Sequence, residues 1–428
     1  MLRGIIALNG LIIDVDSFSL NSISEWAGIV LIKRCLFITK KQQVLRQIRS
    51  IYPSALATAV LATEVIEPNH NSLCNYLEIL ELPLSQTAYV TADIEKLKNL
   101  MSFYVGSILV ISRQLTYDEL SRCPDILVND IQQLESIIPA DHIGFFGEIS
   151  ASPFASKGSF RTSYIRTKCD CYGKSLLIFA TGRYYGSKTY CVNTHALSAK
   201  ILRNKSNGKA FLSANRFFCE QYSSLIKRIG KENIFIDAIV SVPQKPKQIR
   251  NGEKDRFADI TKYLTEEHNI KNASSEFVCI KDYESQKTLS FSERLENIKG
   301  KFKFVGRIDG QTIAIVDDVM TSSATVTECA DTLYKAGAKS VIVLVIGINQ
   351  KITYWSTNWP SNLCSSCNHQ MNILMNSSDL KLFYSCSNWK LCSEPQSYNF
   401  NVGYEKIIKM SDDSMRNEFS LDEDESWL

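Results

Sequence analysis

Two adjacent acids, Asp317 and Asp318, run into Val319-Met320-Thr321-Ser322-Ser323-Ala324-Thr325, the stretch of this 428-residue chain that says most about chemistry. The stretch Thr312 to Val316 has the β-branched density of a buried parallel strand, and Val326 to Lys335 has helical spacing closed by Gly337. The pattern therefore predicts a strand ending in two carboxylates, then a turn entering a helix N-terminus. Free amides and the positive end of the helix macrodipole favour a phosphate at such a turn, and the Thr and Ser hydroxyls add donors. The two carboxylates could reach vicinal hydroxyls of a pentose, so the run reads as a sugar-phosphate cradle. The alternative is a plain helix N-cap after an acidic strand end.

Cations suited to a pyrophosphate stand upstream. Ala238-Ile239-Val240-Ser241-Val242-Pro243 reads as a strand ending in a basic loop, Gln244 to Arg250, with Lys245, Lys247 and Arg250. The segment Tyr283 to Phe302 adds Lys287 and Arg294, either as phosphate contacts in a mobile hood or as solvated helix charges beside Glu293 and Glu296. The acidic run resembles the phosphoribosyl-pyrophosphate loop of type I phosphoribosyltransferases. The order of pieces over roughly residues 195 to 350 resembles the ComF-type members, a family associated with competence for DNA uptake. Those pieces are Leu202 to Asn204 with Lys205, Ser241-Val242-Pro243, Arg250-Asn251-Gly252, Gln286 to Phe302, and the acidic cradle. The resemblance implies binding of phosphoribosyl pyrophosphate with Mg²⁺ by Val319 to Thr325, Lys245, Arg250, Lys287 and Arg294. Asp317 and Asp318 would orient the ribose hydroxyls and stabilise the cationic centre at C1. Acceptor specificity is expected from a hood between residues 195 and 235. Two departures stand out: the arginine-rich glycine turn appears as Asn251-Gly252-Glu253-Lys254, and Ser323 replaces a usual glycine. A Cβ at Ser323 would crowd the phosphate, or cost roughly 1 kcal/mol if the turn needs positive φ.

Near the N-terminus, Leu11-Ile12-Ile13-Asp14-Val15-Asp16 predicts an apolar strand ending in two acids with one residue between them. A second strand, Leu36-Phe37-Ile38-Thr39, ends in a hydroxyl. With Glu67-Pro68, Tyr76 to Val90 and Pro124 to Val128, this resembles the haloacid dehalogenase (HAD) superfamily over about residues 5 to 135. The superfamily uses such an acid pair, with Mg²⁺, as phosphoryl acceptor and acid/base, which assigns Asp14, Asp16 and Thr39 to that site. Glu67 stands where the superfamily has a lysine, and Ala92 near where it has a metal-binding acid, with Asp93 alongside. An acid in the lysine's place repels a phosphoaspartate, so the unit is expected to be impaired as a phosphatase. The alternative gives the metal role to Asp93.

Cys364-x2-Cys367 and Cys386-x5-Cys392, with 18 residues between the pairs, have the spacing of two knuckles closing on one tetrahedral Zn²⁺. Four thiolates leave no open ligand position, so the site is expected to be structural; His369 is the alternative ligand. Phe383 to Cys392 resembles the second knuckle of the C-terminal zinc ribbons of type I topoisomerases. Tyr384, Trp389, Lys381 and Lys390 would then either contact nucleic acid or form the small ribbon core.

The elements that must carry these groups read as α/β throughout: an N-terminal doubly wound HAD-like domain (1–138), a linker or β-rich segment (139–194), a type I phosphoribosyltransferase-like α/β domain (195–355), a small zinc ribbon (356–402) and an acidic tail (403–428). Net charge is +3, yet Ser411 to Leu428 holds seven acids and one Arg, so the remainder carries +9. That excess permits nucleic-acid contact without requiring it. Thirteen scattered cysteines read as reduced thiols plus one metal site, including Cys169 and Cys171 as buried thiols. No apolar run approaches the roughly 20 residues of a membrane span, and Gly4 to Ile13 suits a buried strand better than a secretory signal, so a cytoplasmic location is expected. The composite expectation is a transferase acting from phosphoribosyl pyrophosphate to a base or nucleotide-related acceptor. The alternative is a non-catalytic sensor or a nucleic-acid-associated regulator in DNA uptake or defence.

Overall fold

The structure is a computed structural model, and it describes residues 8–54, 57–61, 70–82, 86–97, 106–152, 158–186, 195–205, 209–284, 291–351, 364–369, 371–375, 382–386, 388–394 and 397–399. The expected acidic tail lies outside them. It is a mixed α/β chain built on two sheets. The first contains β1 (Gly10–Asp14), β2 (Arg34–Thr39), β3 (Ala57–Leu61), β4 (Thr87–Thr91), β5 (Gly106–Val110) and β6 (Ile126–Val128). All its pairings are parallel, in the order β3-β2-β1-β4-β5-β6. β1, β4 and β5 are buried along their whole length because both faces are covered, which is why residues 11–13, 88–90 and 108–110 are apolar runs rather than alternating ones. One face is sealed by Trp26 and by Phe37 stacked on Tyr52 at 5.4 Å, with the Tyr52 hydroxyl donating to the Ile23 carbonyl at 2.6 Å.

A short parallel pair, β7 (His142–Phe145) with β8 (Phe160–Ser163), follows. The second sheet takes β9 (Ile165–Cys171), β10 (Lys174–Tyr184), β11 (Ala238–Ser241) and β12 (Lys271–Asn272). After a hairpin of β13 (Phe277–Cys279) and β14 (Phe302–Phe304), it is completed by β15 (Thr312–Met320) and β16 (Ser340–Asn349). Its order is β12-β11-β15-β16-β10-β9, parallel except for β9 at the edge. The segment 139–194 thus contributes β9 and β10 to the same sheet that holds the paired acids. Outward positions of β9 carry Arg166, Lys168 and Asp170, and β12 at the opposite edge is only two residues long. A three-stranded antiparallel sheet, β17 (Met371–Met375), β18 (Leu382–Cys386) and β19 (Ser397–Asn399), lies within the cysteine module.

A buried ionic cluster joins the two sheets. Arg183, on β10, is 1% exposed and donates from Nε and Nη2 to the two Glu148 carboxylate oxygens at 2.8 and 2.7 Å. Its Nη1 reaches Asp125 Oδ1 at 2.9 Å, at the entry to β6 of the first sheet. The other Asp125 oxygen accepts from the Ser107 amide at 2.7 Å and hydroxyl at 3.1 Å. Gly182 lets this form, because a Cβ there would stand 2.7 Å from Glu148 Cγ. Burial works to raise Glu148, but the Arg183 charge holds its carboxyl well below the usual carboxylate range. Gln350 adds a second seam, accepting from the Cys123 amide at 2.9 Å and donating to the Leu120 carbonyl at 3.0 Å.

Replacing Arg183 by Met keeps the volume but leaves two interior carboxylates without their cation. Breaking such a pair from one side costs about 3–5 kcal/mol. Urea denaturation of the full chain should show a loss of that size for Arg183→Met, and an unchanged midpoint would contradict the cluster.

Candidate functional site

β15 is central in its sheet, with β11 on one side and β16 on the other, and Ile313, Ala314, Ile315 and Val316 are all 0% exposed. The sequence places the strand end at Val316; the ladder instead runs on to Met320, pairing Asp317 with Val345 and Met320 with Ile348. The acids are therefore held by the sheet, not left on a free loop. Asp317 Oδ1 accepts from the Asp318 amide at 2.9 Å, and Asp318 Oδ1 from the Val319 amide at 2.7 Å. The Tyr222 hydroxyl, from the helix Lys209–Gly230, donates to the Asp317 carbonyl at 2.6 Å. Lys205 Nζ stands 3.3 Å from Asp318 Oδ2 and 5.9 Å from the Tyr184 ring centroid.

This environment separates the two acids. Burial, then the neighbouring Asp318 carboxylate, pushes the Asp317 carboxyl up to about 7. Burial opposes the Lys205 ammonium, but Asp318 pulls the other way and the lysine is raised. Near neutral pH Asp317 can therefore act as a proton donor, beside an Asp318 carboxyl group that stands 3.3 Å from the Lys205 ammonium.

Thr321 is exposed and Ser322 half-buried; the helix begins at Ala324, two residues earlier than its apolar spacing predicts. Val326, Cys329, Ala330 and Leu333 bury its inner face. Ala324 and Thr325 thus belong to the first helical turn, whose amides have no acceptor within a helix. Ser323 caps the helix with φ −70° and ψ −10° and is 8% exposed. The turn demands no positive φ at this position, so the expected backbone cost of a serine in place of glycine does not arise. Thr327 N donates to the Ser323 carbonyl at 2.8 Å.

β11 ends at Ser241, paired with Val316, so its C-terminal segment leaves the sheet at the level of the acids. The predicted basic loop is partly a short helix, Pro246–Arg250. Its cations turn toward residues 282–284. Lys245 Nζ donates to the Tyr283 carbonyl at 3.0 Å and lies 3.9 Å from that ring's centroid; Arg250 Nη2 pairs with Asp282 Oδ2 at 2.7 Å. Arg294, on the helix Phe291–Ile298, is 2% exposed, so it is an interior residue and not a solvated helix charge. Burial lowers its pKa, and Tyr117 opposes that shift. Lys287 lies outside the described residues, as do Gln286, Leu289 and Ser290. The hood expected at 195–235 is occupied in large part by two core helices, Ala196–Asn204 and Lys209–Gly230, with Phe218, Tyr222, Leu225 and Ile229 at 0% exposure.

The first sheet forms a second crevice. Its strand order reverses between β1 and β4, the point at which open parallel sheets present a cleft beyond their C-terminal ends. Asp14 ends β1 there, and its Oδ2 accepts from Thr91 Oγ1 at 3.0 Å and from Lys96 Nζ at 2.5 Å. Asp16 lies in the turn Val15–Ser17 and accepts from Thr39 Oγ1 at 2.6 Å and the Lys40 amide at 2.8 Å. Thr39 is thus bonded to Asp16, while the Asp14 carboxylate, at the end of β1, is held by Thr91 and Lys96. Sequence reasoning missed Lys96, five residues beyond β4, because it looked for the cation at position 67, which lies outside the described residues. Asp93 caps the turn Ile94–Lys96 by accepting from the Glu95 amide at 3.0 Å.

The sulfurs of Cys364, Cys367, Cys386 and Cys392 all lie within 4.8 Å of one another. The pairs Cys364–Cys392 and Cys367–Cys386 stand 3.8 and 3.5 Å apart. Four sulfurs at about 2.3 Å from a tetrahedral ion are separated by roughly 3.8 Å, so the donor set and its spacing fit a metal such as zinc. His369 instead sets Nδ1 3.0 Å from the Cys367 carbonyl. Trp389 is 61% exposed with Lys390 Nζ 5.6 Å from its ring centroid, so it lies on the surface and not in a ribbon core. The side chains of Tyr384 and Lys381 lie outside the described residues. Cys171 is a buried thiol donating to the Thr327 carbonyl at 3.4 Å, and Cys169 is partly buried.

No family model and no curated protein matches the chain. Among solved structures, the UMP synthase of Leishmania donovani is similar over 80% of this chain and 86% of that one, at 9% identity and a TM-score of 0.21. The GsuK channel bound to NAD is similar over 79% of this chain and 61% of that one, at 11% identity and a TM-score of 0.21. At such TM-scores neither likeness bears on fold or function. The residues themselves define a mixed α/β chain with two largely parallel sheets, a pair of acids in a central strand that leads into a hydroxyl-bearing turn, and a four-cysteine group able to hold a metal. Among the described residues no helix is long and apolar enough to cross a membrane.

Two measurements check these sites. Asp317 is raised from 3.8 to about 7, so the stability it contributes is full below the lower value and is lost as pH rises through the upper. Asp317→Asn should therefore flatten the decline in unfolding free energy between these pH values, whereas an unaltered slope would exclude the raised carboxyl. Metal analysis should find about one zinc per chain and a clear loss in Cys386→Ser.

Proposed function

We propose that the paired-acid turn binds phosphoribosyl pyrophosphate carrying Mg²⁺ and that the protein transfers the phosphoribosyl group to a base or nucleotide-related acceptor. One observation carries the reading: Asp317 and Asp318 lie in the last residues of a central parallel strand that continues, after Met320, directly into a hydroxyl-bearing turn and a helix N-terminus. In this reading the amides and hydroxyls of 321–325 take the 5'-phosphate. Asp318, held by Lys205, accepts from one ribose hydroxyl, and Asp317 meets the other. As the C1–pyrophosphate bond breaks, the Asp318 carboxylate stabilises the positive charge developing on the sugar. Mg²⁺ arrives on the pyrophosphate as part of the substrate. The transferase-like unit (195–355) takes β9 and β10 from the preceding segment, the N-terminal unit (1–138) is HAD-like, and the cysteine module (356–402) is a zinc ribbon whose exposed Trp389 and Lys390 suit contact with a nucleic acid. Location in the cytoplasm belongs to the same reading.

A sensor that grips the sugar phosphate without turnover is favoured by a separate observation. Lys245 and Arg250, the cations suited to the leaving pyrophosphate, are engaged by residues 282–284. For the N-terminal crevice, Lys96 beside Asp14 supplies the cation that position 67 lacks, which supports phosphoryl chemistry at Asp14.

Calorimetry with phosphoribosyl pyrophosphate and Mg²⁺ should give heat, reduced about tenfold in affinity by Asp318→Asn, a change of about 1.4 kcal/mol. Release of pyrophosphate in the presence of a set of bases and nucleotide precursors then assigns the class: release lost in Asp318→Asn marks the transferase, binding without release marks the sensor, and absence of heat excludes both. Hydrolysis of a simple phosphate ester should vanish in both Asp14→Asn and Lys96→Met; an inert parent protein excludes the phosphatase.

A further inference from the structure

One contact runs from the N-terminal unit directly to the turn. Tyr117 begins the short helix Tyr117–Leu120, and its hydroxyl donates to the Met320 carbonyl at 3.0 Å. Met320 is the last residue of β15 and is 1% exposed. Tyr117 itself is held in place: Thr116 and Glu119 form a capping box ahead of it, and Arg113 clamps Glu119, with Nη1 2.8 Å from Oε2. A separate bond crosses the same seam without touching Tyr117: Thr167 Oγ1 donates to the Leu115 carbonyl at 2.8 Å.

The physical consequence lies in the peptide plane. The Met320 carbonyl and the Thr321 N–H share one rigid amide unit, so fixing the carbonyl fixes the direction of the first amide of the turn. Tyr222 does the same three residues upstream, where its bond to the Asp317 carbonyl fixes the Asp318 amide. Two phenols thus orient two amide planes of one strand end, one from the turn's own unit and one from the other. Burial pushes the Tyr117 hydroxyl well above the usual phenol range, so it keeps the proton it donates. Removing that donor leaves a carbonyl in an interior position without its partner, a state with a desolvation penalty that a small rotation of the plane can relieve.

We propose that Tyr117 is a positioning residue for the 321–325 turn, so that the N-terminal unit sets the geometry of the phosphate site in its neighbour. The ligand named for that turn rests on the reading above; the positioning itself does not. By linkage, a ligand ordering the turn should in return tighten the seam between the two units.

The test is amide hydrogen exchange on the unliganded full chain, paired with calorimetry. Tyr117→Phe keeps the ring and removes only the donor. It should speed exchange several-fold in peptides spanning 318–326, leave the melting temperature little changed, and raise the dissociation constant for phosphoribosyl pyrophosphate about fivefold to tenfold. Thr167→Val severs another hydroxyl-to-carbonyl bond across the same seam and should leave exchange at 318–326 as in the parent. Unaltered exchange at 318–326 in Tyr117→Phe, or a change equal to that in Thr167→Val, overturns the proposal. If the parent gives no heat with the sugar phosphate while exchange still responds to Tyr117→Phe, the ligand reading fails and the positioning role stands.

Discussion

Arg183 is the interaction on which the rest of the structure depends. It brings one cation to two interior carboxylates, Glu148 and Asp125, that belong to elements on opposite sides of the seam. His195, whose Nε2 lies 3.4 Å from Glu148, stays on the neutral side because burial lowers its pKa more than Glu148 raises it. Such a cluster gains little against a well-packed apolar equivalent, but each member is costly to leave alone. A misplaced docking of the units would therefore leave several desolvated charges unpaired at once. That favours a single relative placement of the sheets, and with it the reach of Tyr117 to Met320.

The paired acids show how one local sequence acquires two electrostatic characters. Asp317 and Asp318 are adjacent and chemically identical, yet only Asp318 meets the Lys205 ammonium directly. Desolvation raises Asp317, while Asp318 has an ammonium within 3.3 Å, and neither circumstance is visible in the order of residues. The same logic applies to the N-terminal crevice, where Lys96 folds back onto Asp14 across 82 positions of chain.

Legibility of the sequence followed the range of the forces involved. Thr312 to Val316 and Leu11 to Ile13 are apolar runs long enough to declare buried strands, and the acids at their ends were found with them. The four cysteines were legible because metal spacing is a local property of the knuckles. What stayed hidden was set by tertiary partners. The helices at 196–230 carry polar residues that masked their core-facing stripe, so that stretch reads as a hood. Arg294 looks like a surface charge until the surrounding helices bury it. Ser323 looks strained until its backbone proves to be ordinary right-handed helix entry. Tyr117, Lys96 and Arg183 carry no motif, since each matters only for what it touches from far along the chain.

The edges of the second sheet bear on behaviour at high concentration. β12 is too short to template another strand, and β9 runs against its neighbour while turning Arg166, Lys168 and Asp170 outward. A strand from another molecule would have to set its backbone beside these charges and lose their hydration, with little ladder to gain. The parallel core, the part of this chain most prone to stack into fibrils if exposed, is thereby shielded at both flanks by its own outermost strands.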